Sequence, residues 1–406
     1  MFRLGKTAKR SILLGFVLVV ATTAILVGSG SIAGSDASPA ARHRQLLPPA
    51  PIAIVAGRTS VWTGTEMIVS GVTGAAPDGS LLNSTEVTLA YNPATHAWRR
   101  LASPPKTDNY CRRGAVWTGK EMLVWGCGFL AFDPLSNRWR RLSDPPARQG
   151  IVVWTGREII GWGGGCCGDA DAGGAAYNPA TDTWRKLAPS PLAAEQRPTG
   201  AWTGRELVLF VSGVDAASGK PSPARYARAA AYNPATDTWR RIAPLPEPRN
   251  GASVTWTDRE LLVVGGTNAR GLPASVGLAY NPVSNHWRQL AAVAGHTEGV
   301  TVWTGKRLLI WDGNTARPEG LAYDPHVNSW SQLPRAPLEG REGAVAVWTG
   351  RAMIAFGGVI GPSVGANNSP KNLTDGAAFT GDAVDRSTSP QQIRAQRPAT
   401  PLPACC

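Results

Sequence analysis

The sequence predicts an all-β fold: a seven-bladed β-propeller of four-stranded blades. Three observations carry that prediction. First, Trp-Thr recurs at Trp62, Trp117, Trp154, Trp202, Trp256, Trp303 and Trp348, and six of the seven continue into Gly, with Asp258 replacing it in the fifth. Second, Tyr/Phe-Asn/Asp-Pro recurs at Tyr91, Phe132, Tyr177, Tyr232, Tyr280 and Tyr323, each followed by a further Trp at 98, 139, 184, 239, 287 and 330. Third, the chain holds 46 Gly and 33 Pro in 406 residues, too many breakers for a helical protein. Repeats of this length mark a chain of similar supersecondary units.

The second unit shows how each element is read. Gly114–Thr118 is a β-prone run, turned by Gly119-Lys120 into Glu121–Trp125. Leu130–Phe132 is the third strand, and 133–137 turns the chain into the fourth, Trp139–Leu142. The turns carry the Gly, Pro and Asn/Asp chemistry of tight hairpins. Trp125, Trp162 and Trp311 each follow a Trp-Thr by eight residues, so all 16 Trp fall into repeated slots and none is left as a ligand platform. A four-stranded sheet this small cannot bury both faces alone, and radial packing solves that problem with the recurring aromatics between sheets.

The last unit lacks a fourth-strand Trp after Ala377-Ala378-Phe379. The segment His43-Arg44-Gln45-Leu46, followed by Pro48-Pro49, resembles the end of a unit when set beside Trp287-Arg288-Gln289-Leu290. It is expected to supply the missing strand and close the ring, which removes the exposed sheet edges. The expected organisation is a leader at 1–33, a linker at 34–42, the propeller at 43–380 and a Ser/Pro/Gln/Arg-rich disordered tail at 381–406.

Arg3, Lys6, Lys9 and Arg10 precede the uncharged run Ile12–Val27, followed by small residues. This is the pattern of a secretory signal, removed after Ala33 or Ala40 or kept as a single membrane anchor. Either outcome places the working domain outside the cytoplasm, secreted or anchored, where disulfides persist. No second apolar run is long enough to span a bilayer, which excludes a polytopic membrane protein. The net charge of +13, with Arg far outnumbering Lys, suits an anionic partner and equally fits a GC-rich genome. No nucleic acid and no cofactor is expected, and the propeller is expected to be monomeric.

The units resemble kelch repeats: a strand ending in Gly-Gly (Gly163-Gly164, Gly265-Gly266, Gly357-Gly358), then a Tyr, then a Trp. The resemblance covers about residues 43–380 and departs from the pattern at Ser70-Gly71, Gly126-Cys127, Ser212-Gly213 and Asp312-Gly313. It implies the propeller fold but not one function, since kelch propellers include binding scaffolds and enzymes. Among the enzymes, galactose oxidase holds copper with Tyr and His, whereas five of the seven Tyr here occupy the repeated third-strand slot. N-acetylneuraminate epimerase, an exported propeller acting on an acidic sugar, is the closer enzymatic resemblance.

In such a fold the 1–2 and 3–4 turns share one face, and the 2–3 and 4–1 loops share the other. The former are short and uniform here; the 2–3 loops vary in length, and variable loops on a rigid scaffold are where binding concentrates. The 4–1 loops carry Arg58, Arg112, Arg148, Arg197, Arg249 and Arg341. One reading is a ring of guanidinium groups for carboxylate, phosphate or sulfate; the other is a once-per-blade structural bond. The sixth blade breaks the series with His296-Thr297-Glu298, an acid–base pair in the enzymatic reading and repeat drift in the other. Cys111 and Cys127 flank Gly119 symmetrically and are expected to form a disulfide, provided the hairpin loop has three residues. Cys166, Cys167, Cys405 and Cys406 leave several pairings open. His96, His286 and His326 sit apart in 3–4 turns, so no metal site is expected. The preferred reading is a non-catalytic scaffold for a protein or anionic glycan; the alternative is a carbohydrate-active enzyme.

Overall fold

The computed structural model describes residues 44–74, 84–105, 114–126, 128–146, 150–165, 170–196, 198–211, 228–268, 272–274, 276–292, 299–311, 320–333, 335, 337–360 and 371–380. They form seven four-stranded antiparallel sheets and one short extra pair at 359–360 and 371–372. The first blade is Ala56–Trp62, Met67–Thr73, Thr85–Asn92 and Ala97–Arg100, in order from the axis outward. The next five begin with the inner strands Gly114–Trp117, Ile151–Trp154, Thr199–Trp202, Ser253–Trp256 and Val300–Trp303. The seventh is Val345–Trp348, Ala352–Phe356 and Gly376–Thr380, completed by Arg44–Leu46. Each inner strand packs against the next, and Val345–Trp348 packs back onto Ala56–Trp62, so the ring is closed. This is a seven-bladed β-propeller, as the repeats predicted.

Each recurring residue has a local task. The Thr of Trp-Thr holds the inner hairpin: in the first blade the Glu66 N–H donates to Thr63 Oγ1 at 3.0 Å, and the Thr63 N–H donates to the Glu66 carbonyl at 3.0 Å. The same Thr bond recurs at Thr118, Thr155, Thr203, Thr257, Thr304 and Thr349. The next residue turns left-handed, with φ between +86° and +100° at the six glycines. Asp258 meets the same demand at φ +66°, which Asp tolerates better than most residues.

The second string fastens neighbouring blades. Each third-strand Tyr or Phe stacks on its outer-strand Trp at 4.9–5.0 Å between centroids. The Trp indole N–H then donates to a carbonyl of the preceding blade: Trp139 to Ala102, Trp184 to Ser143, Trp239 to Ala188, Trp287 to Ala243 and Trp330 to Ala291. The N–H of that same acceptor residue donates to a left-handed Asn or Asp in the next blade's 3–4 turn: Asn137, Asp182, Asp237, Asn285 and Asn328. One peptide residue is thus gripped at both its polar groups.

The core is a ring of seven inter-blade layers rather than one central mass. Val61, Ile68, Ala90 and Leu101 of the first blade meet Met122, Val124 and Phe132 of the second, and the pattern continues around the circle. The layer at the seam joins Leu47, Ile354 and Phe356 to Met67, Val69 and Tyr91. Burying each Leu or Phe contributes about 1.5–3 kcal/mol.

The seam corrects one expectation. The N-terminal segment does supply the missing strand, but Arg44 faces Phe379, Gln45 faces Ala378 and Leu46 faces Ala377. In the first blade Trp98 faces Tyr91. Arg44, not His43, therefore occupies the Trp slot, and His43 lies outside the described residues. The core leucine is Leu47, 4% exposed, while Leu46 is 53% exposed. A register shift of one residue inverts every side chain of a strand.

Candidate functional site

The two faces differ in construction. On the loop face the 2–3 connections range from the single residue between Gly126 and Gly128, which pair with each other, to the stretch between Val211 and Arg228. On the other face the 1–2 and 3–4 turns repeat nearly unchanged.

Of the loop-face candidates, Arg112, Arg148 and Arg197 lie outside the described residues, as do His296, Glu298 and all six cysteines, Cys111 and Cys127 included. The described part of the hairpin between those two cysteines pairs Gly114 with Trp125 and Trp117 with Met122.

Arg58, Arg249 and Arg341 are described; Arg249 and Arg341 are buried and Arg58 is half-buried. Arg58 lies in a bulge of the innermost strand of the first blade, where the register shifts between Ala56 and Thr59. Its Nε donates to the Gly343 carbonyl at 2.8 Å and its Nη1 to the Ile54 carbonyl, fastening the first blade to the loop that enters the seventh. Burial pulls its pKa down to about 10, because a charged guanidinium is costly to desolvate. Arg341 is 2% exposed, grips Asp375 with two bonds at 2.5 and 3.0 Å, and lies 5.8 Å over the Trp311 ring. Gly358 leaves room for it: a Cβ there would sit 3.0 Å from Arg341 Cγ and at φ +110°. Arg249 is 3% exposed and its Nη2 donates to Glu247 Oε1 at 2.6 Å and the Val276 carbonyl at 2.5 Å. Burial lowers its pKa, against the pull of Glu247. Its Nε has no partner among the described residues and borders a narrow crevice lined by Thr199, Phe210, Val211, Leu245 and Val263. Each of these three guanidinium groups bonds to the loop scaffold, Arg249 and Arg341 from buried positions and Arg58 from a half-buried one.

The uniform face holds a repeated ionic belt. Arg99, Arg140, Arg185, Arg240 and Arg288 of the outer strands pair with Glu66, Glu121, Glu158, Glu206 and Glu260 of their own blades at 2.6–2.9 Å. Arg185 and Arg288 also donate to the next blade's Tyr232 and Tyr323 hydroxyls at 3.1 Å. Tyr177 and Tyr232 donate in turn to Asp182 and Asp237 at 2.7 and 2.6 Å. Burial raises these phenols, Tyr232 to about 12. The sixth blade inverts the pattern: Arg307 stands in the Glu position, Ser331 in the Arg position, and Arg307 turns to Asp324 at 3.4 Å.

This face also carries a recurrence that the sequence reading passed over. The residue after the left-handed turn position is Lys120, Arg157, Arg205, Arg259, Lys306 or Arg351 in six blades, and Thr65 in the first. All six cations are exposed. The signal was available as Trp-Thr-(Gly/Asp)-(Lys/Arg).

Comparison with known proteins agrees with the architecture. The Kelch motif family matches residues 248–293, which span the fifth blade. A solved structure described as a novel fungal alcohol oxidase with catalytic diversity among the AA5 family, in complex with copper, is similar at a TM-score of 0.59. It is 16% identical, over 84% of this chain and 77% of that one. At that identity the likeness shows the fold alone. The residues described here do not fit that protein's copper. The hydroxyls of Tyr177, Tyr232, Tyr280 and Tyr323 bond to their own 3–4 turns, and His96, His286 and His326 belong to separate blades. Among the described residues no three of His, Cys, Asp or Glu converge.

Proposed function

We propose, from the premise that this chain is a seven-bladed propeller of kelch-type repeats, that it is an exported, non-catalytic scaffold binding a protein or an anionic glycan on its loop face. The observation that carries this reading is the division between faces. The 1–2 and 3–4 turns use the same Thr and Asn/Asp bonds blade after blade, whereas the loop face joins rigidly anchored strand ends by connections of unequal length. Arg58, Arg249 and Arg341 already bond to the loop scaffold, and the reading assigns ligand contact to Arg112, Arg148 and Arg197. Guanidinium groups recognise carboxylate or sulfate through paired hydrogen bonds.

The test is an array of sialylated, uronate-bearing and sulfated glycans probed with the protein and with Arg112→Glu/Arg148→Glu/Arg197→Glu. Wild-type capture of acidic glycans, lost in the triple variant at unchanged Tm, supports the reading; equal capture by both rejects the arginine series as the contact. The second reading, a carbohydrate-active enzyme, rests on His296 and Glu298, which stand where other blades place Arg. Turnover of N-acetylneuraminate anomers followed by NMR, abolished by Glu298→Gln with binding retained, would favour it.

A further inference from the structure

We infer that the face carrying the 1–2 turns docks on an anionic phospholipid surface. The inference stands apart from the loop-face reading. Its first support is the ring of Lys120, Arg157, Arg205, Arg259, Lys306 and Arg351 at the tips of the innermost hairpins. These turns join the two strands nearest the axis, so the six charges surround one mouth of the channel and are interrupted only at Thr65. None of the six makes an ion pair with a described residue; Lys120 feels Asp133 through space alone.

The acids of the same face are otherwise engaged. Glu66, Glu121, Glu158, Glu206 and Glu260 are held by outer-strand arginines. Asp133 and Asp324 bond amides of their own 3–4 turns, Asp182 and Asp237 accept from Tyr hydroxyls, and all four lie in the outer half of the blade. Asp258 is the one acid within the ring, beside Arg259.

The second support is topological. Outer strands run from the 3–4 turn towards the loop face, and Arg44 occupies the turn end, opposite Phe379. Gln45 Nε2 lies 3.1 Å from Nε2 of His96, in the adjacent 3–4 turn, which fixes that end to this face. The chain therefore enters the ring at Arg44 on its cationic side, downstream in sequence of the apolar run Ile12–Val27. Residues 28–43 between them span at most about 55 Å when fully extended. Headgroup phosphates lie in a plane and can meet cations carried on equivalent turns of one face together, which one small anion at the axis cannot. Each cation near such a surface strengthens the partition about fivefold.

The experiment uses the full chain, reconstituted in vesicles of phosphatidylcholine alone or mixed with phosphatidylglycerol, with each lysine's reactivity towards an amine reagent read by mass spectrometry. Lys120 and Lys306 report on the ring; Lys371, in the seventh blade's 2–3 connection, reports on the opposite face. The expected result is protection of Lys120 and Lys306 by about fivefold or more in the anionic vesicles only, with Lys371 unchanged. High salt should remove that protection, because the Debye length falls to about 3 Å at 1 M. In Arg157→Gln/Arg205→Gln/Arg259→Gln/Arg351→Gln both lysines remain as reporters and should lose protection at unchanged Tm; the double variant Arg205→Gln/Arg259→Gln should show an intermediate loss. Equal reactivity in the two vesicle types would overturn the inference. So would equal protection of Lys371, or the same protection from inorganic phosphate without anionic lipid.

Discussion

Pro48 accounts for His96. In five blades the residue gripped by the neighbouring Trp also gives its N–H to a left-handed Asn or Asp. In the first blade the Trp98 indole N–H donates to the Pro48 carbonyl, and proline has no N–H to give. The acceptor is then unnecessary, and His96 fills the place at φ +54°, meeting Tyr91 and Gln45 instead. Where the N–H exists, the acceptor matters. Asp237→Ala removes the partner of both Tyr232 and Ala188, and alanine dislikes φ +51°. We expect a loss of about 2–3 kcal/mol in urea unfolding, from two orphaned donors and backbone strain. Asp237→Gly should lose less, since glycine accepts that φ; an equal loss would discount the strain. Likewise Arg341→Met leaves Asp375 without its two bonds and should cost about 1.5–3 kcal/mol by the same measurement. The loop-face arginines show what residue type alone cannot tell: an Arg in a 4–1 loop reads the same whether it faces a ligand or a carbonyl. Three acceptors distant in sequence, Gly343, Val276 and Asp375, take bonds from these arginines, and their proximity exists only after folding.

At the level of the element, the seam shows how far the pattern could be read. The strand was legible because Arg-Gln-Leu before Pro-Pro matches the end of a repeat. Its register was not, because Leu46 and Leu47 are consecutive and either can be aligned with Leu290. Packing decides: Leu47 fills the space against Gly376, Ala50 and Phe356, and its N–H donates to the Gly376 carbonyl at 2.9 Å. Leu47→Ala should cost about 2–5 kcal/mol and Leu46→Ala less than about 0.5 kcal/mol in thermal or urea unfolding. The reverse order would restore the register first inferred from sequence. The blades themselves were fully legible, since seven copies of Trp-Thr and six of the Pro turn overdetermine them. The ring of turn cations was equally visible in the letters, yet it gained meaning only once the topology set those turns around one axis.

At the scale of the whole molecule, closure and the ionic belt set the response to alkali. Burial is the first cause of raised pKa values at Tyr91, Tyr177, Tyr232, Tyr280 and Tyr323. The folded ring keeps phenol protons that an unfolded chain releases near pH 10, so stability falls as pH rises from about 10 towards 12. Arg58 and Arg249 act in the opposite sense, since their depressed pKa values let the folded state shed protons first, but they are two groups against five. Phenolate absorbance should therefore grow in step with loss of structure above pH 10. Independent titration of these five phenols near pH 10 in an intact ring would contradict the burial of the Tyr slot. The seam has a further consequence. Arg44 and Phe379 face each other at one end of an antiparallel pair, so the first and last described strands begin and end side by side. Tension applied between them would peel the pairs apart one after another instead of shearing them all together. The circle would then part at low force, at the one join the backbone does not cross.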